Sequence, residues 1–562
     1  MCATYRKART RYTSSAPRRD ARKTSASTYG TTSCCRLLLT GIATGRTIRS
    51  ARWRPAPTGK RSDHQCRKEH IVTTTSEPTG EIFDGLQEYV AACQEIDDYH
   101  VIQGVDWDEE LGALVEAVAE TIPNAPMLIF DKVKGYPEGY RLVSLLGASY
   151  KRAALALGLP TDKSRDELAE LASQRLRAVK PIPPNEVPAG PVMENVMEGE
   201  EVDLWRFPVP RYHASDGGRY IGTGDSLINK DPESGYVNMG TYRMEVHDKN
   251  TLGLWMSPGQ QGRLICNSYW EKGEACPVVA TFGTDPLTWM ASHGRSPWGE
   301  SELDHAGGLR GRPVDVIKGP ITGLPIPAHA EIAIEGEVPP PWEEARDEGP
   351  FGEWPGYYSG GTLGTGEPQP VIRVKAVYFR NNPIILSQAP MWPGARQTGL
   401  PMGAGRGGAA DLARAGVSHV VAVGTPFAYM RVIAINQQYP GHAKQAAMAA
   451  AANTRNGRWI VVVDEDIDPE DLKEVLWAMT TRCDPETDIE ILNGMWSTPL
   501  DPLVSARPDK KESGDHTNSL AVFYAVRPFH RRELFPGVSR SPKELRQRVM
   551  KKYGDILPFP NV

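Results

Sequence analysis

The chain of 562 residues lacks the features that mark membrane-spanning, fibrous and low-complexity proteins. No apolar run reaches the roughly 20 residues of a membrane helix, because the longest candidate, 417–435, is interrupted by Gly424, Pro426 and Arg431. The 54 glycines and 47 prolines follow no fixed period, which excludes a collagen-like chain. At roughly 100–200 residues per domain, we expect two to four domains and no membrane partner.

Cysteine is also scarce. The chain has 8 cysteines and no CxxC pair. This pattern predicts neither a zinc framework nor a disulfide scaffold, and it favours a protein of the reducing cytoplasm. A chain of this length buries enough apolar surface to fold without such staples.

Charge is unevenly distributed, although the formal net charge is only −5. Residues 1–70 contain 17 Lys and Arg against 3 Asp and Glu, and the rest of the chain is acidic. Counterion release from a phosphate backbone requires a basic surface, so the acidic body predicts no nucleic-acid partner.

Residues 1–75 are predicted to be a disordered basic leader, because they are rich in Ser, Thr and Arg and show no helical or strand period. Three explanations remain open. The segment has the composition of a transit peptide, and a basic nucleic-acid arm would look similar. We favour the third, in which translation starts downstream and Val72 is the true initiator, because the body does not need this segment.

Three regions of different hydrophobic pattern follow the leader and predict a mixed α/β and β protein. Residues 80–190 combine an amphipathic helix at 108–122 with a capping box at 164–167, which is typical of an α/β region. Residues 191–395 contain short strands with many Gly, Pro and Trp, which predict an antiparallel barrel or sandwich. Residues 396–562 alternate apolar strands with helices, which predicts a second α/β domain.

Three motifs carry weak ligand signals. The GxGxxG string at 403–408 neither follows a strand directly nor has a convincing acidic ribose partner, so a loop that enters a helix is favoured over a nucleotide site. The carboxylates at 464–468 suit a divalent metal, but Pro469 favours an acid-rich helix start. Residues 440–444 form either an anion site or a plain turn before an Ala-rich helix.

A stronger signal is the pair of carboxylates that brackets a Gly-Pro-Phe-Gly turn, Glu348 and Glu353. Paired carboxylates in a pocket separate their pKa values and supply one acid and one anion. The alternative is an exposed acidic loop, since Glu343, Glu344 and Asp347 continue the charge run.

Three further polar clusters precede this turn. Residues 238–243 place a glycine among polar side chains, as expected where the backbone approaches a ligand closely. Residues 258–262 form a turn whose side chains are able to donate to an anion, and residues 292–302 complete the set.

The four clusters, in this order, resemble the UbiD family of reversible decarboxylases, which includes enzymes similar to ferulic acid decarboxylase. The resemblance extends from about residue 96 to the C-terminus and is most specific at 238–243 and at EGPFGE, 348–353. It implies an N-terminal α/β region, a flavin-reductase-like split β-barrel that binds prenylated FMN, and a C-terminal α/β domain used in oligomerisation. These match the three regions distinguished above.

The resemblance also implies site residues. Asn238 and Glu302 fall on metal-ligand positions, and Gln261 stands where ferulic-acid-decarboxylase-like members have a histidine ligand. Mn²⁺ and Mg²⁺ accept oxygen donors, so an amide there weakens the site without abolishing it. The positions that would bind the prenylated FMN with its Mn²⁺ and K⁺ are Asn238, Thr241, Tyr242, Arg243, Gln260, Gln261, Ser292 and Glu302.

The chemistry explains why a Glu-Arg-Glu network is expected at Arg243, Glu348 and Glu353. Loss of CO₂ from an aromatic acid leaves a carbanion at an sp² carbon, and the flavin supplies the electron sink. Arg243 would orient the carboxylate through its planar fork, Glu353 would donate the proton, and Glu348 would hold Arg243. The candidate walls for a flat substrate, which otherwise would be core residues, are Met256, Met391 and Trp392.

The favoured function is the reversible, non-oxidative decarboxylation of an aromatic or heteroaromatic acid of phenolic, phenazine or pyrrole type. The nearest alternative substrate is an α,β-unsaturated acid such as a cinnamate. Alternatives of another class are a nicotinamide oxidoreductase built on the 403–408 loop and a non-catalytic flavin-binding subunit. The implied partners are a small aromatic acid, CO₂, a flavin prenyltransferase, and further copies of the chain in a homodimer or homohexamer.

We predict that deletion of residues 1–71 leaves a folded and active protein, because the segment has no apolar period from which to build a core. Soluble yield, thermal unfolding and activity of the truncated and full-length chains provide the comparison. Loss of soluble expression or of activity on truncation would contradict the prediction.

Overall fold

The computed structural model describes most of the chain beyond the basic leader, namely residues 80–294, 296–359, 366–393, 408–453, 457–539 and 543–553. The leader lies outside these residues, as does most of the 403–408 loop, of which only Gly408 is described, as the N-cap of a helix.

Helices and strands alternate in the two terminal regions, and strands dominate the middle. The α-helices of the described residues are α1 Leu86–Glu95, α2 Glu110–Thr121, α3 Tyr150–Ala156, α4 Arg165–Arg177, α5 Gln261–Trp270, α6 Pro286–His293, α7 Glu302–Arg310, α8 Ala409–Arg414, α9 His442–Asn453, α10 Leu472–Arg482, α11 Pro502–Ser505, α12 Pro508–Ser513 and α13 Lys543–Tyr553. Short 3₁₀ helices span Pro191–Met193, Gly199–Glu201, Leu204–Arg206 and Phe529–Leu534. The strands are β1 Tyr99–Gln103, β2 Met127–Asp131, β3 Arg141–Ser144, β4 Asn185–Glu186, β5 Asn195–Glu198, β6 Arg219–Gly222, β7 Asp225–Lys230, β8 Val237–Gly240, β9 Arg243–Val246, β10 Thr251–Trp255, β11 Cys276–Phe282, β12 Asp315–Lys318, β13 Pro325–Pro327, β14 Ile332–Val338, β15 Ala345–Glu348, β16 Phe351–Gly352, β17 Tyr358–Ser359, β18 Glu367–Phe379, β19 Ile384–Leu386, β20 Val420–Gly424, β21 Met430–Ile435, β22 Trp459–Asp464, β23 Ile489–Trp496 and β24 Thr517–Ala525.

The N-terminal region is built on a four-stranded sheet in the order β1-β2-β3-β19. Its last strand comes from the end of the central region and pairs in parallel with β3. The predicted amphipathic helix is α2, which buries Leu111 and Val115, and the predicted capping box at Ser164 and Glu167 starts α4. The guanidinium of Arg152 is fully buried and donates to the main-chain carbonyls of Ala125, Leu145 and Leu146. These carbonyls give the guanidinium the hydrogen-bond partners that an apolar core lacks.

The central region is an antiparallel sheet of ten strands that curls into a half-barrel, in agreement with the predicted barrel-like middle. Its main path runs β6-β9-β10-β18-β14-β11-β7-β8, and β5 and β15 also pair with the long strand β18. Helices α2 and α5 pack with residues of one hydrophobic cluster, and α6 and α7 with those of another. Both faces of the sheet are therefore buried, which explains the nearly continuous apolar sequence of β11.

The C-terminal region contains a five-stranded sheet in the order β20-β21-β22-β24-β23. Strands β21, β22 and β24 are parallel, and the two edge strands are antiparallel. Along β22, Ile460 and Val462 pack with α9, whereas Val461 and Val463 pack with α10. The region therefore has the α/β character that its sequence pattern predicts. Among the helices described, none is both long and apolar enough to cross a membrane.

Candidate active site

A cavity of about 1350 Å³ opens between the curled central sheet and the C-terminal region. The central sheet contributes most of the wall, α4 contributes Arg165, and the C-terminal region contributes Phe427 and Leu472. Most of the predicted site residues line this cavity, namely Asn238, Thr241, Tyr242, Arg243, Gln260, Gln261, Ser292, Glu302 and Glu353. The structure therefore brings into one place residues that the sequence distributes over more than a hundred positions.

Arg243, at the start of β9, lies between the two glutamates of the EGPFGE turn. Its Nε and Nη2 donate to the two carboxylate oxygens of Glu348, each at 2.7 Å. Its Nη1 donates to Glu353 Oε1 at 2.6 Å and to the hydroxyl of Ser359 at 3.0 Å. Glu348 is completely buried behind the arginine, whereas the side chain of Glu353 keeps 14% exposure at the cavity. The alternative of an exposed acidic loop is therefore wrong for this pair.

The charges of this trio do not balance, and this imbalance affects Glu353. Burial raises the pKa of Glu353; Arg243 opposes this shift, and the negative charge of Glu348 adds to it. Burial alone would lower the pKa of Arg243, but Glu348 and Glu353 outweigh it and raise that pKa. One guanidinium held bidentately by Glu348 cannot fully neutralise a second carboxylate as well, so surplus negative charge falls on Glu353.

Two further buried carboxylates hold the turn that carries the glutamates. Glu245 accepts a hydrogen bond from the N–H of Gly349 at 3.0 Å, and Asp216 accepts one from the N–H of Gly352 at 3.2 Å. Burial raises the pKa of Glu245 to about 7. Phe351, between these anchors, packs 5.0 Å from the guanidinium of Arg243. The turn is thus fixed from both ends and from its centre.

The predicted metal ligands lie near one another at the starts of α5 and α7 and in β8. Tyr236 joins two of them, because its hydroxyl donates to Gln261 Oε1 at 2.9 Å and lies 3.5 Å from Glu302 Oε2. The amide of Gln261 also donates to Ser296 O. Asn238 donates from its amide nitrogen to Asn229, which leaves its oxygen as the potential ligand atom. Burial raises the pKa of Glu302.

These three side chains offer too few charged ligands to hold a metal ion without further ligands. Within the described part of the chain, no three His, Cys, Asp or Glu side chains are grouped so that they could hold a metal. Two amide oxygens and one carboxylate suit a hard divalent ion that takes its remaining ligands from a phosphate and from water, which is how Mg²⁺ binds in many nucleotide sites.

The predicted cofactor-contacting residues line the same cavity as the three predicted metal ligands and Arg243. The hydroxyls of Thr241 and Ser292 are 2.9 Å apart, and the hydroxyl of Tyr242 accepts from Gly262 N at 3.0 Å. A Cβ at Gly240 or Gly262 would come within 2.6 Å of that hydroxyl. The two glycines therefore make room for the Tyr242 hydroxyl against the backbone.

The structure assigns several of the weaker sequence motifs a role that is not ligand binding. Met391 and Trp392 line the cavity as expected, but Met256 packs in the hydrophobic core. The 464–468 acidic cluster is not a metal site, because Asp464 accepts from Arg482 and Arg527 in a buried ion-pair network. The 440–444 segment starts α9.

Several contributors were not recognised from the sequence. They are Asp225, which is a residue of the cavity wall, and Tyr236, Ser359, Asp216 and Glu245, which support the groups described above. The usable signal was a charged residue inside an apolar strand, since Asp225 opens β7 and is 1% exposed. The other four carry no signal beyond their polarity, because their partners are distant in the sequence.

Comparisons with known proteins identify the family of the chain. Three family models match the chain: the N-terminal domain of 3-octaprenyl-4-hydroxybenzoate carboxy-lyase at residues 90–172, its Rift-related domain at 185–393, and its C-terminal domain at 405–515. Together they cover more than half of the sequence.

Individual relatives are enzymes of the same class. The chain is 32% identical to a phenolic acid decarboxylase of Streptomyces sp. (strain D7), over 68% of this chain and 81% of the relative. It is 29% identical to the pyrrole-2-carboxylic acid decarboxylase of Pseudomonas aeruginosa, over 80% of this chain and 93% of the relative.

The fold is similar to that of the UbiD-class enzyme HmfF from Pelotomaculum thermopropionicum in complex with FMN, with a TM-score of 0.70 and 28% identity over 84% of this chain and all of that one. An evolved dimeric form of HmfF was solved with prFMN. The chain therefore belongs to the UbiD family and is a carboxy-lyase.

Proposed function

We propose that the protein catalyses the reversible, non-oxidative decarboxylation of an aromatic or heteroaromatic carboxylic acid with prenylated FMN as cofactor. The observation that carries the proposal is the buried Glu348–Arg243–Glu353 network at the wall of the cavity. It combines a group that orients a carboxylate with a carboxyl whose pKa is raised. The names of relatives that act on phenolic acids and on pyrrole-2-carboxylate support this substrate class.

Each member of the network has a distinct role in this proposal. Arg243 would orient the substrate carboxylate through its charge and through the one N–H, on Nη2, that its four hydrogen bonds within the described residues leave over. Glu348 holds the guanidinium in place, because its two oxygens occupy Nε and Nη2. Glu353 holds the proton that is delivered to the carbon from which CO₂ departs, and its raised pKa keeps the acid form available at higher pH than for an ordinary glutamate.

The cavity residues fit a flavin. A volume of about 1350 Å³ exceeds the usual 300–1,000 Å³ of a small-molecule site, so it has room for a nucleotide and a flat acid together. Thr241, Tyr242, Gln260 and Ser292 would contact the cofactor. When bound, prenylated FMN supplies the electron sink for the electron pair that the loss of CO₂ leaves on the substrate carbon. The structures of HmfF with FMN and with prFMN support this assignment.

We further propose that Asn238, Glu302 and Gln261 would hold a Mn²⁺ or Mg²⁺ ion, which together with K⁺ would neutralise the charge of the cofactor phosphate. The support is the proximity of a buried carboxylate to two amide side chains in the wall of the cavity. Because both polar atoms of Gln261 already have protein partners, it is the weakest ligand of the three.

Substrate shape would be set by the aromatic side chains at the mouth of the cavity. The ring centroids of Trp392 and Phe427 are 6.3 Å apart, and those of Trp354 and Tyr429 are 4.8 Å apart. Phe427 and Tyr429 belong to the C-terminal region, which therefore contributes one ring to each pair. Trp354, Trp392 and Phe427 line the same cavity as Glu353. We therefore propose phenolic, phenazine or pyrrole-type acids as substrates. Among the described residues, no feature favours a cinnamate over them.

The proposal extends to partners and location. A flavin prenyltransferase would supply the cofactor, and the chain would form a homodimer or homohexamer. A cytoplasmic location is supported by the thiols of Cys93, Cys266, Cys276 and Cys483, which are all free.

Replacement of Glu353 tests its role as proton donor. Glu353→Gln keeps the shape and hydrogen-bonding capacity of the side chain but removes the transferable proton, so turnover is expected to fall by about 10²–10⁴-fold. Flavin content is expected to remain unchanged. The measurements are CO₂ release from a panel of aromatic and acrylic acids, and deuterium incorporation into the product in D₂O, at matched flavin content.

The control is Glu343→Gln, because Glu343 is exposed and belongs to the same acidic run. As pH rises through the raised pKa of Glu353, the acid form is lost and the parent rate should decline, whereas the Gln variant should lack this limb. Turnover and deuterium exchange at the parent rate in Glu353→Gln would rule Glu353 out as the donor.

The metal assignment is tested by flavin retention. Asn238→Ala and Glu302→Ala, made separately, are expected to lower the flavin-to-protein ratio, and EDTA should do the same, because a buried phosphate without its cation carries unpaired charge. Gln261→His should tighten metal binding. Glu300→Ala is the matched control, since Glu300 is exposed two residues before Glu302. Unchanged flavin and metal content in both alanine variants and after EDTA treatment would refute the site.

A further inference from the structure

Tyr429 joins the C-terminal region to the segment that carries Glu353, although it is not among the described residues that line the cavity. Its ring centroid is 4.8 Å from that of Trp354, and the two ring planes are inclined at 44°. Trp354 does line the cavity, and it directly follows Glu353 in the sequence. Any effect of Tyr429 on the reaction must therefore pass through a neighbour, and Trp354 is the neighbour that shares a peptide bond with Glu353.

Groups of the C-terminal region hold the ring of Tyr429 in place. The guanidinium of Arg458 lies 5.0 Å from the ring centroid, within the range of a cation–π contact. That guanidinium is itself paired with Asp501, which is 1% exposed. The hydroxyl of Tyr429 donates to Leu500 O at 3.3 Å. The ring thus presents a fixed surface to Trp354.

The backbone of Tyr429 is strained. Its φ of 61° lies in the left-handed region, which a bulky side chain rarely adopts. Its carbonyl oxygen accepts from the N–H groups of Arg458 and Trp459, each at 2.9 Å, and these bonds help to maintain the conformation. Strain of this kind clusters at functional segments. Tyr429 is the first residue after the cavity-lining segment 425–428, so the strained position adjoins the site.

Glu353 and Trp354 belong to one hydrogen-bonded turn. The N–H of Glu353 donates to Tyr357 O at 3.0 Å, and the N–H of Gly356 donates to Glu353 O at 2.8 Å. A displacement of the Trp354 ring therefore moves the backbone from which the Glu353 carboxyl projects. Before Glu353 the EGPFGE turn is anchored by buried carboxylates, and after Glu353 the contact with Tyr429 restrains the chain.

Electrostatics also connects Tyr429 with the reactive carboxyl. Burial raises the pKa of the Tyr429 hydroxyl; the charge of Asp501 adds to this shift, Arg458 opposes it, and the charge of Glu353 adds to it again. Glu353 is thus within electrostatic range of the phenol. Because its pKa is raised, Tyr429 stays neutral and acts through the packing of its ring.

We propose that Tyr429 is a positioning residue, which packs on Trp354 and thereby holds the carboxyl of Glu353 where it delivers its proton. This inference rests on the proposed function, because it requires Glu353 to be the proton donor. It gives the C-terminal region a part in the proton-transfer step, in addition to its part in the cavity wall.

Three variants of Tyr429 test the contact in holoenzyme matched for flavin content. Tyr429→Ala and Tyr429→Asn both remove the ring, and asparagine tolerates a left-handed backbone, so a loss that both variants share comes from the ring. Their kcat for CO₂ release is expected to fall by about tenfold, as for coupled neighbouring groups, while KM stays within about twofold. Tyr429→Phe keeps the ring and is expected to remain within about twofold of the parent.

A double-mutant cycle distinguishes positioning of Glu353 from a merely structural role. In the Glu353→Gln background no proton remains to be positioned, so Tyr429→Ala is expected to lower the residual rate by less than about twofold. A structural role would lower the rate by the same factor in both backgrounds.

Tyr439→Ala is the matched control. Tyr439 belongs to the same region, is 38% exposed, and has its ring centroid 4.6 Å from that of His442. It is not among the described residues of the cavity wall, and its removal is expected to leave kcat unchanged. Far-UV circular dichroism and thermal unfolding of each variant establish that the fold is retained. If Tyr429→Ala fails to fold, Tyr429→Asn takes its place in the cycle.

The outcomes separate the inference from the function on which it rests. A parent-like kcat without the ring, or equal losses in both backgrounds, would overturn the inference alone. A loss in Tyr429→Phe as large as that in Tyr429→Ala would also overturn it, because the hydroxyl and not the ring would then be needed. Absence of CO₂ release by the parent, or full turnover by Glu353→Gln, would refute the proposed function together with the inference.

Discussion

The bidentate ion pair between Arg243 and Glu348 is the interaction on which the rest of the site depends. Both groups are buried, and a buried guanidinium without a counter-ion would cost several kcal/mol. Glu348 satisfies this requirement with two hydrogen bonds of 2.7 Å and leaves Nη1 as the part of the fork that reaches Glu353. The surplus negative charge therefore falls on Glu353, which faces the cavity. In the proposed function, the same charge imbalance underlies both the orientation of a carboxylate by Arg243 and the storage of a proton by Glu353.

The fold maintains this pair through contacts that come from distant parts of the chain. The EGPFGE turn leaves β15 and is anchored by Glu245 and Asp216. The guanidinium lies 4.8 Å from the ring of Trp255 and 5.0 Å from that of Phe351, which restricts its movement. The C-terminal region then contributes Phe427 to the cavity wall. All three regions thus line the cavity, although the central half-barrel holds the Arg243 network.

Much of the fold was predictable because its signals are local. The apolar β-branched strands of the C-terminal region, the amphipathic helix α2 and the capping box of α4 each depend on residues close together in the sequence. The pairing of β19 with β3 was not predictable, because no local pattern indicates that a three-residue strand from the end of the central region joins the N-terminal sheet. Contacts of this kind are set by chain topology.

The site shows the same division. The residue types of the Glu-Arg-Glu network were identified through the family resemblance, but Arg243 and Glu348 are 105 positions apart, and only the fold shows that they meet. The sequence also left open whether the acidic residues around this turn are buried or exposed, because burial depends on contacts with distant parts of the chain. Glu344 forms an ion pair with Arg373 on partly exposed surface, whereas Glu348, four residues later, is buried. Composition alone does not distinguish the two.

The most direct test of the account is to replace Arg243 by lysine in enzyme matched for flavin content. Lysine keeps the charge but presents a single ammonium group, which cannot hold Glu348 bidentately and reach Glu353 at the same time. The measurement is CO₂ release from the aromatic acid on which the parent enzyme is most active. The account predicts that Arg243→Lys retains its flavin and loses at least about 100-fold in turnover, the low end of the general acid–base contribution. Turnover by Arg243→Lys at the parent rate would contradict it.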